Sequence, residues 1–173
     1  MEIIKANSQF NLEDMHSSLM LYGYYCYHDS RLEGIVPEDL HFDYVPSVFG
    51  QYGTSICEEA TKVLVQTQLA RYTECFPELK VIRSLVYSGI DNGVGVWHTD
   101  HRENLRLQAM CYQSDLFEAD GGSLQIKCYD GVERHYYPKN GDVVLTNHSP
   151  DVVNKIDTIL TDKKRIVINM VMQ

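Results

Sequence analysis

Residues 120–147 read DGGSLQIKCYDGVERHYYPKNGDVVLTN. Three runs rich in β-branched and aromatic residues stand out in it: 123–129, 132–137 and 142–147. Asp130-Gly131 and Asn140-Gly141 separate them, and Asp120-Gly121-Gly122 precedes them. Gly tolerates the positive backbone angles of tight turns, and Asp and Asn hydrogen-bond their own backbone there, so each break reads as a turn and each run as a strand. The same alternation continues on both sides, with runs at 81–88, 94–100, 105–113, 152–160 and 164–172 and a further turn at Asp91-Asn92-Gly93. About eight short strands at this spacing predict a sandwich or barrel.

Upstream the pattern changes. Residues 11–22 place Leu12, Met15, Leu19 and Met20 at helical spacing behind Asn11, a good N-cap residue. Residues 23–54 are rich in Tyr, Gly, Pro and Asp and read as irregular structure or short strands. The spacing predicts a second helix over 56–74. Ser55 to Glu58 forms a capping-box pattern, Ala60, Val63, Leu64, Leu69 and Tyr72 form an apolar stripe, and Phe76-Pro77 ends it. At 173 residues one domain is expected. It is of the α+β class and mostly β, with a helical or irregular support region over 1–80 and a β core over 81–173.

Bulk properties exclude some functions. A net charge of −9 argues against a general binder of nucleic-acid backbones, which depends on clustered Lys and Arg. The five cysteines are scattered without a CxxC pair and read as reduced thiols. No apolar run approaches the ~20 residues that span a bilayer, and the N-terminus lacks the pattern of a signal peptide. The expectation is a soluble cytoplasmic protein with no membrane partner. The oligomeric state is unreadable.

The residue types that carry chemistry lie in the β half. His98 and Asp100 flank Thr99, and on an extended strand residues i and i+2 share a face, so an imidazole and a carboxylate would be presented together to a divalent metal. Arg165 lies far downstream on another strand, with Val167 and Asn169 on the same face. A planar guanidinium suits bidentate recognition of a carboxylate. Alone, a His-x-Asp pair is weak and reads equally as a hydrogen-bonded surface pair.

The order of pieces is more specific. Tyr87, then His98-Thr99-Asp100, then Gly121-Gly122-Ser123-Leu124, then Pro138-Lys139-Asn140-Gly141-Asp142-Val143, then a loop into Asn154, then Arg165 to Asn169 together resemble the Fe(II)/2-oxoglutarate-dependent dioxygenases, in particular the small prolyl-4-hydroxylase-like branch. The resemblance covers roughly residues 80–172. It implies a double-stranded β-helix, or jelly-roll, core with Fe(II) as cofactor and 2-oxoglutarate as co-substrate. It implies that His98 and Asp100 ligate iron and that Arg165 anchors the distal carboxylate of 2-oxoglutarate. Tyr87 would help hold that carboxylate or pack in the core, and Asn169 would line the same face.

The family's distal His falls at Asn154, whose amide oxygen is a poorer donor for iron than an imidazole nitrogen. Three readings stand: Asn154 is a weak third ligand or holds a water, His148 swings in from the same loop, or the site is catalytically dead. The implied function is hydroxylation of a C–H bond in a small molecule or a peptide or protein side chain, with release of succinate and CO2. The alternative is an impaired or inactive jelly-roll protein that keeps a binding role. A cupin-type metal enzyme without 2-oxoglutarate is a third possibility, against which the Arg165 register speaks. His101 reads as a rim residue, Arg102 and Arg106 as contacts to an anionic substrate or as solvated charges. Tyr22 to Tyr27, Tyr44 and Tyr52 read as a groove or as core.

Overall fold

A computed structural model describes residues 2–47, 50–89 and 95–173. Met1, the expected turn Asp91-Asn92-Gly93 and residue 94 lie outside them. Leucine and methionine at helical spacing behind Asn11 form α1 (Leu12–Leu21), and the Asn11 side chain accepts a hydrogen bond from the Asp14 N–H. Met15 and Leu19 are buried, whereas Met20 points to solvent. The second helical stretch runs through α2 (Glu58–Leu64), a wider π-helical turn at Val65–Leu69, and α3 (Ala70–Thr73). Its cap is Cys57, which makes no side-chain capping bond. The expected Ser55 cap is instead the last residue of a strand, paired with Val86. Ladder pairing holds Ser55 in place and leaves it too early to reach the first turn.

Two sheets form the rest. One has seven strands in the order β2 (Tyr24–His28), β9 (Asp142–Asn147), β6 (Leu107–Tyr112), β11 (Arg165–Met172), β5 (Val81–Gly89), β4 (Gly50–Ser55) and β3 (Asp43–Ser47). The other has four: β1 (Glu2–Ile3), β8 (Glu133–Tyr136), β7 (Leu124–Lys127) and β10 (Val153–Ile156). All pairings are antiparallel except β1 with β8. The fold is mostly β with few helices, a jelly-roll sandwich as expected. Besides the helices, the region before residue 80 supplies β1 to β4; β2 to β4 fall where short strands were one of the two readings, and β1 adds a strand at Glu2–Ile3.

Side-chain alternation assigns the two faces of the large sheet. Ile168, Met170 and Met172 of β11 pack against Met15, Leu19, Ala60 and Leu64 of the helices. Val167 faces the other way and joins Met110, Tyr112, Leu124, Ile126 and Val144 between the sheets. Each such buried aliphatic side chain contributes about 1.5–3 kcal/mol. This inner core fills one end of the sandwich and leaves the other end open. All five cysteines are free thiols. Among the described residues no helix is long and apolar enough to cross a membrane.

Candidate active site

Within the expected strand over 94–100, the described residues 95–100 form no continuous strand. The segment from Gly95 to Asp100 instead makes one antiparallel bridge, His98 to Asn154, at the free edge of β10. His98 N–H donates to the Asn154 carbonyl at 3.0 Å and Asn154 N–H to the His98 carbonyl at 2.8 Å. Residues so paired present their side chains on one face. Close approach explains why the segment is short. A Cβ on Gly95 would lie 1.8 Å from the Ile156 carbonyl oxygen, so only glycine lets the chain cross β10 there. Trp97 turns outward, with the Lys127 and Lys155 ammonium groups 4.7 and 5.1 Å from its ring centre. These cation–π contacts hold the segment to the outside of the small sheet.

His98 and Asp100 turn inward, with Nε2 of His98 3.6 Å from Oδ1 of Asp100. Nδ1 of His98 lies 2.9 Å from the Val96 carbonyl, which can only accept, so Nδ1 carries the proton in the neutral ring and Nε2 carries the lone pair. Asn154 is buried, and its Nδ2 donates to Oδ2 of Asp100 at 3.0 Å. A carboxylate offers no proton, so the amide must turn its NH2 group toward it. Asn154 thus orients Asp100, and in this arrangement its amide nitrogen is the atom nearest the carboxylate.

The opposite wall comes from the large sheet. Arg165, Val167 and Asn169 of β11 line a cavity of about 550 Å³ together with Tyr87, Tyr52 and the His98–Asp100–Asn154 group. Arg165 is 7 % exposed, yet it makes no ion pair among the described residues, and its Nε finds no hydrogen-bond partner. Its guanidinium lies 5.6 Å from the centre of the Tyr112 ring, and Oδ1 of Asn169 is without a hydrogen-bond partner. A buried, uncompensated cation is costly unless something anionic completes it. Tyr87 stacks on Tyr52 at 5.2 Å. Burial, with Tyr87 alongside, pushes the Tyr52 phenol above its ordinary range.

His148 is half-buried beside this group. Its Nδ1 bonds the Asp100 carbonyl at 2.8 Å and its Nε2 is buried without a partner. Burial pushes its imidazole below the ordinary value. Among the described residues no three His, Cys, Asp or Glu side chains converge as a metal site, so His148 does not close a triad with His98 and Asp100 here. A second cavity of about 280 Å³ adjoins the first, and His148, His101, Arg102 and Arg83 line it. Sequence reasoning missed Arg83, Gln108 and Met110 on the walls. The signal was there: Arg83 lies four residues before Tyr87 on one strand, and two-residue periodicity puts both on one face.

The donor set can be weighed against an iron and 2-oxoglutarate site. One imidazole nitrogen and one carboxylate, with an amide beside them, fit a divalent metal held by two strong protein donors. The orphaned Nε–H of Arg165 on the facing sheet fits a carboxylate. Packed sheets stand roughly 10 Å apart, room enough for a short dicarboxylic acid between them.

No family model matches the sequence, and no curated protein matches it. Solved structures do. A 2-oxoglutarate/Fe(II) oxygenase-family oxidoreductase from Burkholderia pseudomallei superposes with a TM-score of 0.73 at 12% identity, covering 100% of this chain and 96% of that one. A prolyl-4-hydroxylase from Pseudomonas putida gives 0.71 at 15% identity, covering 94% and 98%. HygX from Streptomyces hygroscopicus, solved with nickel and 2-oxoglutarate bound, gives 0.64 at 14% identity, covering 94% and 87%. The chain therefore has the jelly-roll fold of the 2-oxoglutarate/Fe(II) oxygenases.

Proposed function

We propose that this protein is an Fe(II)- and 2-oxoglutarate-dependent oxygenase that hydroxylates a C–H bond of a small molecule or a peptide or protein side chain, releasing succinate and CO2. The observation that carries the reading is Arg165. It is a buried guanidinium with no acidic partner among the described residues, and it lies across the cavity from a His–carboxylate pair. An anion with a second chelating end satisfies both walls at once.

His98 Nε2 and Asp100 would hold the metal, with Asn154 holding the Asp100 carboxylate in place. Bound iron would supply what no side chain can, the activation of dioxygen. Arg165 would clamp the distal carboxylate of 2-oxoglutarate in a bidentate pair, with Tyr87 and Asn169 beside it. Tyr52, Tyr87 and Met110 shield the cavity wall from water, which strengthens every charge interaction inside. The test is succinate release from 2-oxoglutarate in air with Fe(II), measured for wild type and Arg165→Gln. Charge-assisted hydrogen bonds contribute about 1.5–3 kcal/mol, so the variant is expected to need roughly 10–100-fold more 2-oxoglutarate. Equal dependence in both proteins removes Arg165 from the proposal.

A second reading has its own observation. The amide at position 154 is turned to Asp100, so among the described residues the site offers two strong metal donors, His98 and Asp100. A binding protein that keeps the cavity without turnover is consistent with that. Succinate formation separates the two.

A further inference from the structure

The arginines are unevenly employed. Of the seven in the chain, Arg31 and Arg71 pair with Asp29, and Arg134 pairs with Glu2 and Asp130. Arg83, Arg102, Arg106 and Arg165 make no ion pair among the described residues. Three of these four, Arg83, Arg102 and Arg165, line the two adjoining cavities. Arg165 is buried and Arg83 and Arg102 are exposed, and in a chain with nine excess negative charges these three cations, none in an ion pair among the described residues, give one groove a cationic wall suited to an anion.

Arg165 and Arg83 leave the β5–β11 ladder at well-separated positions. Arg165 pairs with Gly89 and Val171 with Arg83, so the two arginines are six positions apart along the β5–β11 ladder. At ~3.4 Å per residue that is roughly 20 Å, and a five-carbon dicarboxylate spans only a fraction of it. Asp100, already bonded by Asn154, is the sole carboxylate along the smaller cavity. The other polar side chains there are His98, Thr99, His101, Gln108, His148 and Asn169. His98 and Asp100 border both cavities, as do Arg83 and Arg102, whereas Arg165 lines the larger one alone.

We propose that Arg83 and Arg102 form a second anion subsite, one that binds a carboxylate or phosphate group of the substrate and so places the carbon to be oxidised at His98 and Asp100. This rests on the oxygenase reading, since it assigns the substrate class of the same groove. The two sources of negative charge share one chemistry: a compact, multi-oxygen anion taken by guanidinium forks.

The test is an NMR titration that follows the arginine Nε–H resonances, with Arg83 and Arg102 assigned by their loss in Arg83→Gln and Arg102→Gln. Three small probes are used: N-acetylalanine, its neutral amide, and methyl phosphate. Each is added with and without excess 2-oxoglutarate, whose own binding is measured separately. The expected result is that at least one charged probe shifts both resonances and binds roughly tenfold or more tighter than the neutral amide. Excess 2-oxoglutarate does not displace it, and each arginine variant weakens it roughly tenfold while 2-oxoglutarate affinity holds. Preference between the acetylated amino acid and the phosphate then identifies the source. Equal binding of charged and neutral probes, displacement by 2-oxoglutarate, or indifference to both variants overturns the subsite. Failure of 2-oxoglutarate to bind, with the charged probe still held by Arg83 and Arg102, sinks the oxygenase reading alone.

Discussion

Gly95 decides where His98 sits. Any side chain at 95 meets the Ile156 carbonyl at 1.8 Å, so the crossing segment must lift away from β10. The core lies elsewhere, so Gly95→Ala is expected to leave the thermal midpoint within a few degrees of wild type. Metal affinity should fall by at least about tenfold, because His98 and Asp100 lose their shared placement. Calorimetric titration with Mn(II) checks this, and unchanged affinity would show that the segment does not position the donors. At this scale the sequence was informative about identity and silent about orientation. His98, Asp100, Arg165, Tyr87 and Asn169 could be singled out by period and order, and they line one cavity. That Asn154 donates to Asp100 depends on a bridge between segments 54 residues apart, which no local pattern encodes.

The helical stretch through α2 and α3 was legible as an element and illegible at its middle. Ala60, Leu64 and Tyr72 are buried as the stripe predicts, but so is Gln68, which the apolar pattern passed over. The π turn brings Gln68 onto the buried face. There Tyr27 OH donates to its Oε1 at 2.8 Å, and its Nε2 donates to Oδ2 of Asp29 at 2.8 Å. Asp29 also takes bonds from Arg31 and Arg71. Burial works to raise its pKa, but these hydrogen bonds hold it well below the usual carboxylate range. Gln68→Leu fills similar volume and removes one hydrogen bond each from Tyr27, which keeps Tyr72, and from Asp29, which keeps Arg31 and Arg71, so a loss of about 1–2 kcal/mol is expected in urea unfolding. A loss below 0.5 kcal/mol would show the network to be dispensable. The strands β3 and β4 could be read only as one of two alternatives, irregular structure or short strands, for a related reason. Tyr-, Gly- and Pro-rich sequence lacks alternation, and what makes it strand is pairing with β5 at the sheet edge.

Across the whole molecule, pH acts through two clusters of opposite sign. The depressed Asp29 stabilises the fold above its unfolded pKa, and that contribution is lost as pH falls through its folded value. His28 bonds Asp142 at 2.9 Å and Glu33 at 3.0 Å. Burial opposes its protonation, but these carboxylates win and raise its pKa above 6.5. Its contribution is therefore full below pH 6.5 and fades as pH rises through the raised folded value. His28→Gln keeps a donor to Asp142 without the charge. It is expected to cost about 1 kcal/mol or less at pH 5.5, given partial exposure, and close to nothing at pH 9. A deficit that grows with pH would reverse the sign assigned to this cluster.

The same molecule-wide arrangement, the proposed metal donors His98 and Asp100 bridged to the small sheet and Arg165 on the large one, is tested most directly by anaerobic titration of Fe(II)-loaded protein with 2-oxoglutarate. Wild type is expected to develop the weak metal-to-ligand charge-transfer absorbance and to yield succinate when air is admitted. Arg165→Gln should require far more 2-oxoglutarate for both. Asn154→His should tighten the metal by roughly tenfold or more. Absence of absorbance and succinate in wild type, with both appearing only in Asn154→His, would contradict an active enzyme and leave a binding protein built on an oxygenase fold.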